Sequence, residues 1–261
     1  MLPEGTLRGK TAIVTGGGTG LGKAMALEFA RLGANVALAG RRLEVLEAAA
    51  GEIEARGARA TAHRTDVRKP EDVDALVEAV VARYGGVDIL VNNAAGNFTV
   101  PSLDLTPNGW RAVVEIVLSG TWFCSQRVAK AMIARGTGGN ILNIVATYAW
   151  TGNPYTVHSA AAKAGVLAMT QTLAVEWAPH RIRVNALAPG PIAETGAVDQ
   201  LWPDAEKAAH VLKNIPAGRL GERQEIANAA AYLASDYADY VTGACLVVDG
   251  ARWLGKGAFA V

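Results

Sequence analysis

The chain has 261 residues, 51% of them hydrophobic, and a formal net charge of +1. A chain of this size and composition can bury one large core, so we expect a single domain over residues 1–261. Its near-balance of charge offers no basic surface to a nucleic-acid backbone, and no apolar run approaches the roughly 20 residues of a membrane-spanning helix. We therefore expect neither nucleic-acid nor membrane partners. The first residues lack the charged start and apolar run of a secretory signal, which predicts a cytoplasmic protein.

Short apolar runs alternate with helical periodicity along the chain. Seven runs predict β-strands over residues 11–15, 35–39, 58–64, 87–91, 140–145, 181–187 and 244–248. Helical spacing predicts helices over residues 21–32, 43–56, 71–84, 106–135, 159–177 and 224–234. Near-continuous apolar strands separated by helices are typical of a parallel sheet covered on both faces. We therefore predict a three-layer α/β/α fold with a doubly wound, seven-stranded, Rossmann-type sheet, and functional residues just after the strands.

A glycine-rich turn joins the first predicted strand to the first predicted helix. Its residues are Gly16, Gly17, Gly18, Thr19, Gly20 and Leu21. Glycines between a strand and a helix let the backbone approach a pyrophosphate at the helix N-terminus. The turn therefore predicts a dinucleotide site.

The end of the second strand indicates which dinucleotide is bound. An NAD-binding chain has a carboxylate some 20 residues beyond the glycines, whereas this chain has Arg41 and Arg42. Two guanidinium groups suit a 2′-phosphate and favour NADP(H). Four residues after the third and fourth strands lie at the same predicted edge and complete the expected cofactor site: Asp66, Val67, Asn93 and Ala94.

The sequence also contains one long irregular stretch, two cysteines and four histidines. The stretch from Pro189 to about Pro216 is rich in Gly, Pro and Ala, and we predict a substrate-covering lid there. Cys124 and Cys245 each stand alone in an apolar segment, which is typical of reduced core thiols. The four histidines lack metal-ligand spacing, so we expect no metal site.

Four segments together resemble the short-chain dehydrogenase/reductase family. They are Gly20-Leu21-Gly22, Asn92-Asn93-Ala94-Ala95-Gly96, Lys163 at the opening of a helix, and Pro189-Gly190-Pro191-Ile192. The resemblance covers nearly the whole chain and implies a doubly wound sheet, a nicotinamide cofactor and a homotetramer. It also implies that Lys163, Pro189, Gly190 and Ile192 contact the cofactor.

The usual catalytic group of that family, Asn, Ser, Tyr and Lys, is only partly present. Lys163 is there, but Ser159 stands four residues earlier, where the family has Tyr. Ala146 stands at the position of the usual Ser, and Val117 at that of the usual Asn. Two interpretations follow: a non-catalytic, NADP-sensing binding protein, or an enzyme whose acid has moved elsewhere.

Two tyrosines before the Lys163 helix are candidates for a relocated acid. Tyr148 comes just after the fifth strand, where chemistry is expected, and Tyr155 lies deeper in the loop. Asn97 and Phe98, together with Tyr148, Ser159 and Lys163, resemble the 2,4-dienoyl-CoA reductase branch, in which the acid Tyr also stands 15 residues before the Lys.

That resemblance implies NADPH-dependent reduction of a 2,4-dienoyl-CoA thioester to a 3-enoyl-CoA, an auxiliary step in the β-oxidation of unsaturated fatty acids. Tyr148 and Asn97 are then expected to donate to the thioester oxygen. Lys163 is expected to bind the nicotinamide ribose and lower the Tyr148 pKa, with Ser159 bonding the cofactor or ordering Tyr148. Phe98 is a candidate for the thioester pocket, and Arg68 for the CoA phosphates. The enzyme alternative is a 3-oxoacyl-thioester or other carbonyl reductase.

Overall fold

The structure, a computed structural model, describes residues 2–194 and 212–255, and its centre is a seven-stranded sheet. The strands are β1 (Thr11–Thr15), β2 (Asn35–Gly40), β3 (Ala60–Arg64), β4 (Ile89–Asn92), β5 (Gly139–Ile144), β6 (Ile182–Pro189) and β7 (Cys245–Val248). Their order is β3-β2-β1-β4-β5-β6-β7, and every neighbouring pair is parallel. The predicted doubly wound fold is confirmed. Its strand order reverses between β1 and β4, which opens a crevice at the carboxyl ends of these strands.

Helices cover both faces of the sheet. They are α1 (Gly20–Arg31), α2 (Leu43–Glu54), α3 (Pro70–Tyr84), α4 (Pro107–Val114), α5 (Gly120–Arg135), α6 (Tyr148–Thr151), α7 (Val157–Trp177) and α8 (Arg223–Ala234). Within the described residues, three short 3-10 turns lie at Ser102–Asp104, Ala178–His180 and Asp236–Ala238. None of the helices within residues 2–194 and 212–255 has the length and apolar character needed to span a bilayer.

The central strand shows how the two halves of the core form. Side chains alternate between the faces of a strand, so neighbouring residues of β1 enter different clusters. Val14 packs with Phe29 of α1 and Ile226 of α8, all fully buried. Ile13 packs in the opposite cluster with Met132 of α5. The sheet is thus buried on both faces, which holds the ends of the strands rigidly in place.

The stretch predicted as one helix over residues 106–135 contains an interruption. It begins at α4, where the Thr106 hydroxyl accepts a hydrogen bond from the amide of Gly109, and it continues into α5. Between them, Glu115–Ser119 forms a π-helical turn, a feature that often accompanies functional sites. Ile116 of this turn lines the cavity described below.

The predicted lid over residues 189–216 falls largely outside the described residues, which omit 195–211. Its start is tied to the segment before α8. The amide of Ala193 donates to the carbonyl of Gly221 at 2.9 Å, and the amide of Gly221 donates to the carbonyl of Pro191 at 2.9 Å. The lid itself stays a prediction.

Candidate active site

The glycine turn between β1 and α1 leaves room that side chains would fill. Gly16 and Gly20 have positive φ angles of 64° and 53°, a region that glycine enters without steric penalty. A Cβ on Gly22 would lie 2.2 Å from the carbonyl oxygen of Gly16, and one on Gly17 would lie 2.8 Å from that of Val14. The turn therefore requires glycine at positions 17 and 22, because a side chain there would collide with the backbone where its segments approach closely.

The N-terminus of α1 has backbone amide donors that no capping side chain occupies. Thr19 caps the helix in an extended conformation, its side chain makes no capping hydrogen bond, and the first turn contains no acidic residue. The first amides of a helix have no partner within the helix and attract anions. Together with the compact glycine turn, this geometry fits the pyrophosphate of a dinucleotide.

Asn93 fixes the glycine turn from the next strand of the sheet. Its side-chain amide donates to the carbonyl oxygens of Thr15 and Gly16, at 3.0 and 3.3 Å. The Thr15 hydroxyl in turn accepts from the backbone amides of Asn93 and Ala94 and donates to the carbonyl of Val91. The role of Thr15, missed in the sequence, depends on the pairing of β1 with β4.

A cavity of about 440 Å³ lies over the carboxyl ends of β1, β2 and β4. It brings together most of the predicted cofactor residues, namely Gly16, Gly18, Thr19, Arg41, Arg42, Asp66, Val67, Asn93 and Ala94. Arg41 and Arg42 are exposed at its rim, and neither forms an ion pair within the described part of the chain. Two unpaired guanidinium groups at this rim suit an anionic group on the ribose.

Arg68 lies against Asp66, at a distance of 2.5 Å between Nη2 and Oδ2. Hydrogen bonds from the Arg68 guanidinium, with the charge of Arg41 nearby, hold the pKa of Asp66 below its usual value. The prediction that Arg68 reaches the phosphates of CoA stays a prediction, and its ion pair with Asp66 competes with that contact.

Tyr148 and Ser159 meet as their sequence positions suggested. Tyr148 opens the one-turn helix α6, and its hydroxyl lies 3.0 Å from the Ser159 hydroxyl oxygen on the first turn of α7. The expected lowering of the Tyr148 pKa is wrong: burial raises it, and the hydrogen bond between the Tyr148 and Ser159 hydroxyls opposes this only in part. Tyr148 is therefore a neutral hydrogen-bond donor at physiological pH.

Lys163 is buried one turn after Ser159, and its Nζ donates to the carbonyl of Ile144, at the end of β5, at 2.5 Å. Burial lowers the pKa of Lys163 to about 8, since a desolvated ammonium is disfavoured. The bond to the Ile144 carbonyl is the hydrogen bond that the Lys163 amine makes among the described residues. It also holds the amine at the strand end.

Asn97 follows β4 and is half-buried. Its Oδ1 accepts a hydrogen bond from the amide of Phe98 at 2.9 Å, and its Nδ2 donates to nothing in the parts of the chain that are described. The side-chain amide is thus oriented by its own turn and keeps its donor available.

Tyr155, the second candidate acid, is placed differently. It is 57% exposed, has a left-handed backbone with φ of 64°, and its hydroxyl makes no hydrogen bond within the described residues. Its carbonyl instead accepts from the amide of Val100 at 3.0 Å. The geometry thus favours Tyr148 as the acid.

A network of buried amides supports the site from below, and sequence reasoning assigned it no role. The side-chain amide of Asn92 donates to Ser125 at 2.9 Å and to Asn143 at 2.8 Å, and that of Asn143 donates to Thr170 at 2.9 Å. These bonds join β4 and β5 to α5 and α7. Asparagines within apolar strands are the only sequence signal for such a network.

The remaining predicted cofactor residues follow β6. The amide of Gly190 donates to the carbonyl of Val248 at 2.9 Å, and a Cβ on Gly190 would lie 2.6 Å from the Cα of Asp249. Pro189 ends β6, and Ile192 is buried beside the Gly221 bridge. Among the described residues, no three His, Cys, Asp or Glu side chains are grouped as metal ligands.

Known proteins resemble this chain over almost its whole length. Residues 16–251 match the family described as Enoyl-(Acyl carrier protein) reductase. A protein of Bacillus subtilis (strain 168), named Probable 2,4-dienoyl-CoA reductase, (2E)-enoyl-CoA-producing, is 48% identical over 94% of this chain and 97% of its own. The Peroxisomal 2,4-dienoyl-CoA reductase, (3E)-enoyl-CoA-producing, of Pongo abelii is 45% identical over 95% of this chain and 85% of its own.

Solved structures also resemble this chain over almost its whole length. A short chain dehydrogenase from Bacillus anthracis str. 'Ames Ancestor' has a TM-score of 0.86 at 48% identity and covers 94% of this chain and 97% of its own. The citronellol catabolism dehydrogenase of Pseudomonas aeruginosa PAO1 has a TM-score of 0.85 at 37% identity and covers 97% of this chain and 98% of its own.

Proposed function

Because the chain is a member of the short-chain dehydrogenase/reductase family, we propose that it reduces 2,4-dienoyl-CoA thioesters to 3-enoyl-CoA with NADPH. The observation that carries the proposal is the 3.0 Å contact of Tyr148 with Ser159, one turn before Lys163. It brings a tyrosine hydroxyl to the helical turn before Lys163, although position 159 itself holds no tyrosine. The names of the relatives from Bacillus subtilis and Pongo abelii both support reduction of a 2,4-dienoyl-CoA, and the name of the second supports the 3-enoyl product.

The residues present fit a nicotinamide dinucleotide. The glycine turn and the free amides of α1 would hold its pyrophosphate, and Arg41 and Arg42 would hold the 2′-phosphate that distinguishes NADP. Asp66, Val67, Asn93, Ala94, Pro189, Gly190 and Ile192 complete the proposed site. When bound, the reduced cofactor supplies a hydride to C5 of the substrate, the far end of its conjugated system.

The chain's own donors stabilise the charge that develops. Reduction at C5 moves negative charge onto the thioester carbonyl oxygen, where Tyr148 O–H and Asn97 Nδ2–H donate hydrogen bonds. Because Tyr148 stays neutral, it retains the proton needed for this bond. One donor aimed at developing charge is worth about 2.7–4 kcal/mol in comparable sites.

The carbon that receives the proton determines which enoyl-CoA isomer is formed. Protonation of the dienolate at C2 gives a 3-enoyl thioester, whereas protonation at C4 gives a 2-enoyl thioester. The two relatives differ in this product, as their names state. We propose that solvent delivers the proton, because the proposed donors, Tyr148 and Asn97, are occupied at the carbonyl oxygen. Protonation at C2 is proposed from the resemblance to reductases that form the 3-enoyl product, as in the name of the Pongo abelii relative.

The other residues position substrate and cofactor. Ser159 orders the Tyr148 hydroxyl, and Lys163 reaches the nicotinamide ribose from the end of β5. Phe98, 40% exposed, is proposed to line the thioester pocket, and Arg68 to approach the CoA phosphates when its ion pair with Asp66 opens. A homotetramer is proposed from the family and is tested by light scattering. A cytoplasmic location stays a proposal and is tested by cell fractionation.

Substrate comparison tests the proposal. The purified protein is mixed with NADPH and either 2,4-hexadienoyl-CoA or a 3-oxoacyl-CoA of equal chain length, and the absorbance of NADPH is followed. We expect oxidation with the dienoyl thioester alone. Oxidation with only the 3-oxoacyl thioester would establish a carbonyl reductase, and tight NADPH binding without turnover would establish a binding protein.

A further inference from the structure

His158 is a buried polar residue beside the proposed site. It lies on the first turn of α7, directly before Ser159, and none of its surface is exposed. Burial lowers the pKa of His158, the backbone of Phe98 opposes this in part, and neither ring nitrogen meets hydrogen-bond geometry with any described residue. Burying a polar group without a partner costs about 1–3 kcal/mol, so the contacts of the His158 ring have to offset this cost.

The imidazole of His158 contacts the turn that carries Asn97. Its ring and that of Phe98 have centroids 4.4 Å apart and planes inclined by 34°. Phe98 also meets α4, where a Cβ on Gly109 would lie 3.1 Å from the Phe98 Cζ atom. Phe98 thus contacts both α4 and α7, although 40% of it remains exposed.

A second tie joins the same two segments. The amide of Val100 donates to the carbonyl of Tyr155 at 3.0 Å, and Tyr155 adopts a left-handed backbone that is uncommon for a non-glycine residue. The loop after β4 therefore meets this region at two points, through a backbone hydrogen bond to the loop before α7 and through the ring contact with the first turn of α7.

We propose that His158 is a positioning residue for Asn97: its ring anchors Phe98 and so fixes the Asn97 amide relative to Tyr148 and Ser159. Asn97 is oriented through the amide of Phe98, which donates to its Oδ1, so displacement of Phe98 turns the Asn97 side chain. This inference rests on the proposed function, in which Asn97 donates to the thioester oxygen. His158 acts through Phe98 and touches no reacting atom.

Hydrogen exchange tests the anchor independently of any activity. In His158→Ala, the amides of Phe98 and Val100 are expected to exchange about tenfold faster, because local opening becomes easier. His158→Phe keeps a ring at this position and is expected to restore most of the protection. Unchanged exchange in His158→Ala would overturn the anchor, as would exchange in His158→Phe as fast as in His158→Ala.

A double-mutant cycle tests the consequence for catalysis. His158→Ala is expected to lower kcat 10-fold to 100-fold with NADPH affinity unchanged, since displacements on the order of 1 Å cost this much. Asn97→Ala is then expected to cost far less in the His158→Ala background than in the wild type. Equal losses in both backgrounds would refute the positioning role even if the anchor itself exists.

Leu173→Ala is the matched control, since it removes a buried side chain from the same helix away from the site. It is expected to lower Tm without changing kcat well below that temperature. Failure of the proposed function has a different signature: wild-type protein then does not turn over 2,4-dienoyl-CoA, while the exchange result still decides the anchor.

Discussion

Two opposing effects act on the phenol of Tyr148. Burial raises its pKa, and the hydrogen bond with Ser159 lowers it by a smaller amount. The phenol therefore stays protonated at physiological pH and serves as a donor. A neutral donor suits a reaction that develops charge on oxygen and leaves the final proton to solvent.

Replacing Tyr148 tests this donor. Tyr148→Phe is expected to lower kcat by about 10²–10³, the usual loss for one donor to developing charge, with NADPH affinity unchanged. Steady-state kinetics and fluorescence titration with NADPH measure the two quantities. Tyr155→Phe is the control, because that hydroxyl makes no hydrogen bond within the described residues and is expected to be dispensable. A larger loss of kcat in Tyr155→Phe than in Tyr148→Phe would show that Tyr155, in the loop, is the acid.

Lys163 gives stability a pH dependence. Its pKa falls from 10.5 to about 8 on burial, so folding is penalised below pH 8, where the amine is charged in both states. The penalty disappears as pH rises from about 8 to 10.5. Lys163→Met should therefore gain stability relative to wild type at pH 7, and that difference should shrink over this range. Urea denaturation at several pH values measures it, and a constant difference would contradict the pKa.

At the residue scale, chain order predicted which groups share the site but not all of their bonds. The contact between Tyr148 and Ser159 follows from their positions after a strand and at the start of a helix, because there the backbone determines where the two side chains lie. The bonds of Lys163 to Ile144 and of Arg68 to Asp66 depend on which rotamer a long side chain adopts. Such choices follow from tertiary packing, which a sequence pattern does not contain.

At the element scale, close packing makes the turn before α1 intolerant of side chains. Gly22→Ala places a methyl group 2.2 Å from the carbonyl oxygen of Gly16, so the turn must shift. We expect a loss of about 1–3 kcal/mol of stability, as for other overpacked sites, and at least tenfold weaker NADPH binding.

Gly51→Ala is the matched change within α2, where a Cβ would meet nothing within 4 Å. It is expected to stabilise the protein by about 0.5–1 kcal/mol, because alanine loses less backbone entropy in a helix. Thermal denaturation and NADPH titration compare the two variants. Equal NADPH affinity in Gly22→Ala and wild type would show that the turn does not bind the cofactor.

The periodicity of apolar residues predicted the strands and the long helices, but it did not predict the short elements. The one-turn helix α6 and the π-helical turn Glu115–Ser119 are too short to show a pattern of their own. They matter here because α6 carries Tyr148 and the π turn carries Ile116 to the cavity. Both depend on packing against α7, so their geometry follows from the fold.

At the scale of the whole molecule, cofactor binding should appear as stability. A ligand at 100 times its Kd stabilises the folded state by about 2.7 kcal/mol, which raises Tm by several degrees in a chain of this size. NADPH is expected to raise Tm more than NADH at equal concentration. The variant Arg41→Ala with Arg42→Ala should remove that difference, because the 2′-phosphate then has no partner.

Arg56→Ala with Arg59→Ala serves as the control, since it removes the same charge from exposed positions away from the cofactor cavity. It is expected to keep the preference for NADPH. A preference that survives in the Arg41 and Arg42 variant would mean that other residues select the cofactor.

Isotope transfer identifies the carbon that receives the hydride and so tests reduction at the far end of the conjugated thioester. NADPH carrying deuterium at the transferred position is oxidised with 2,4-hexadienoyl-CoA, and the product is examined by NMR and mass spectrometry. We expect one deuterium at C5 and a double bond between C3 and C4. Deuterium at C3 or at the carbonyl carbon, or no transfer at all, would contradict it.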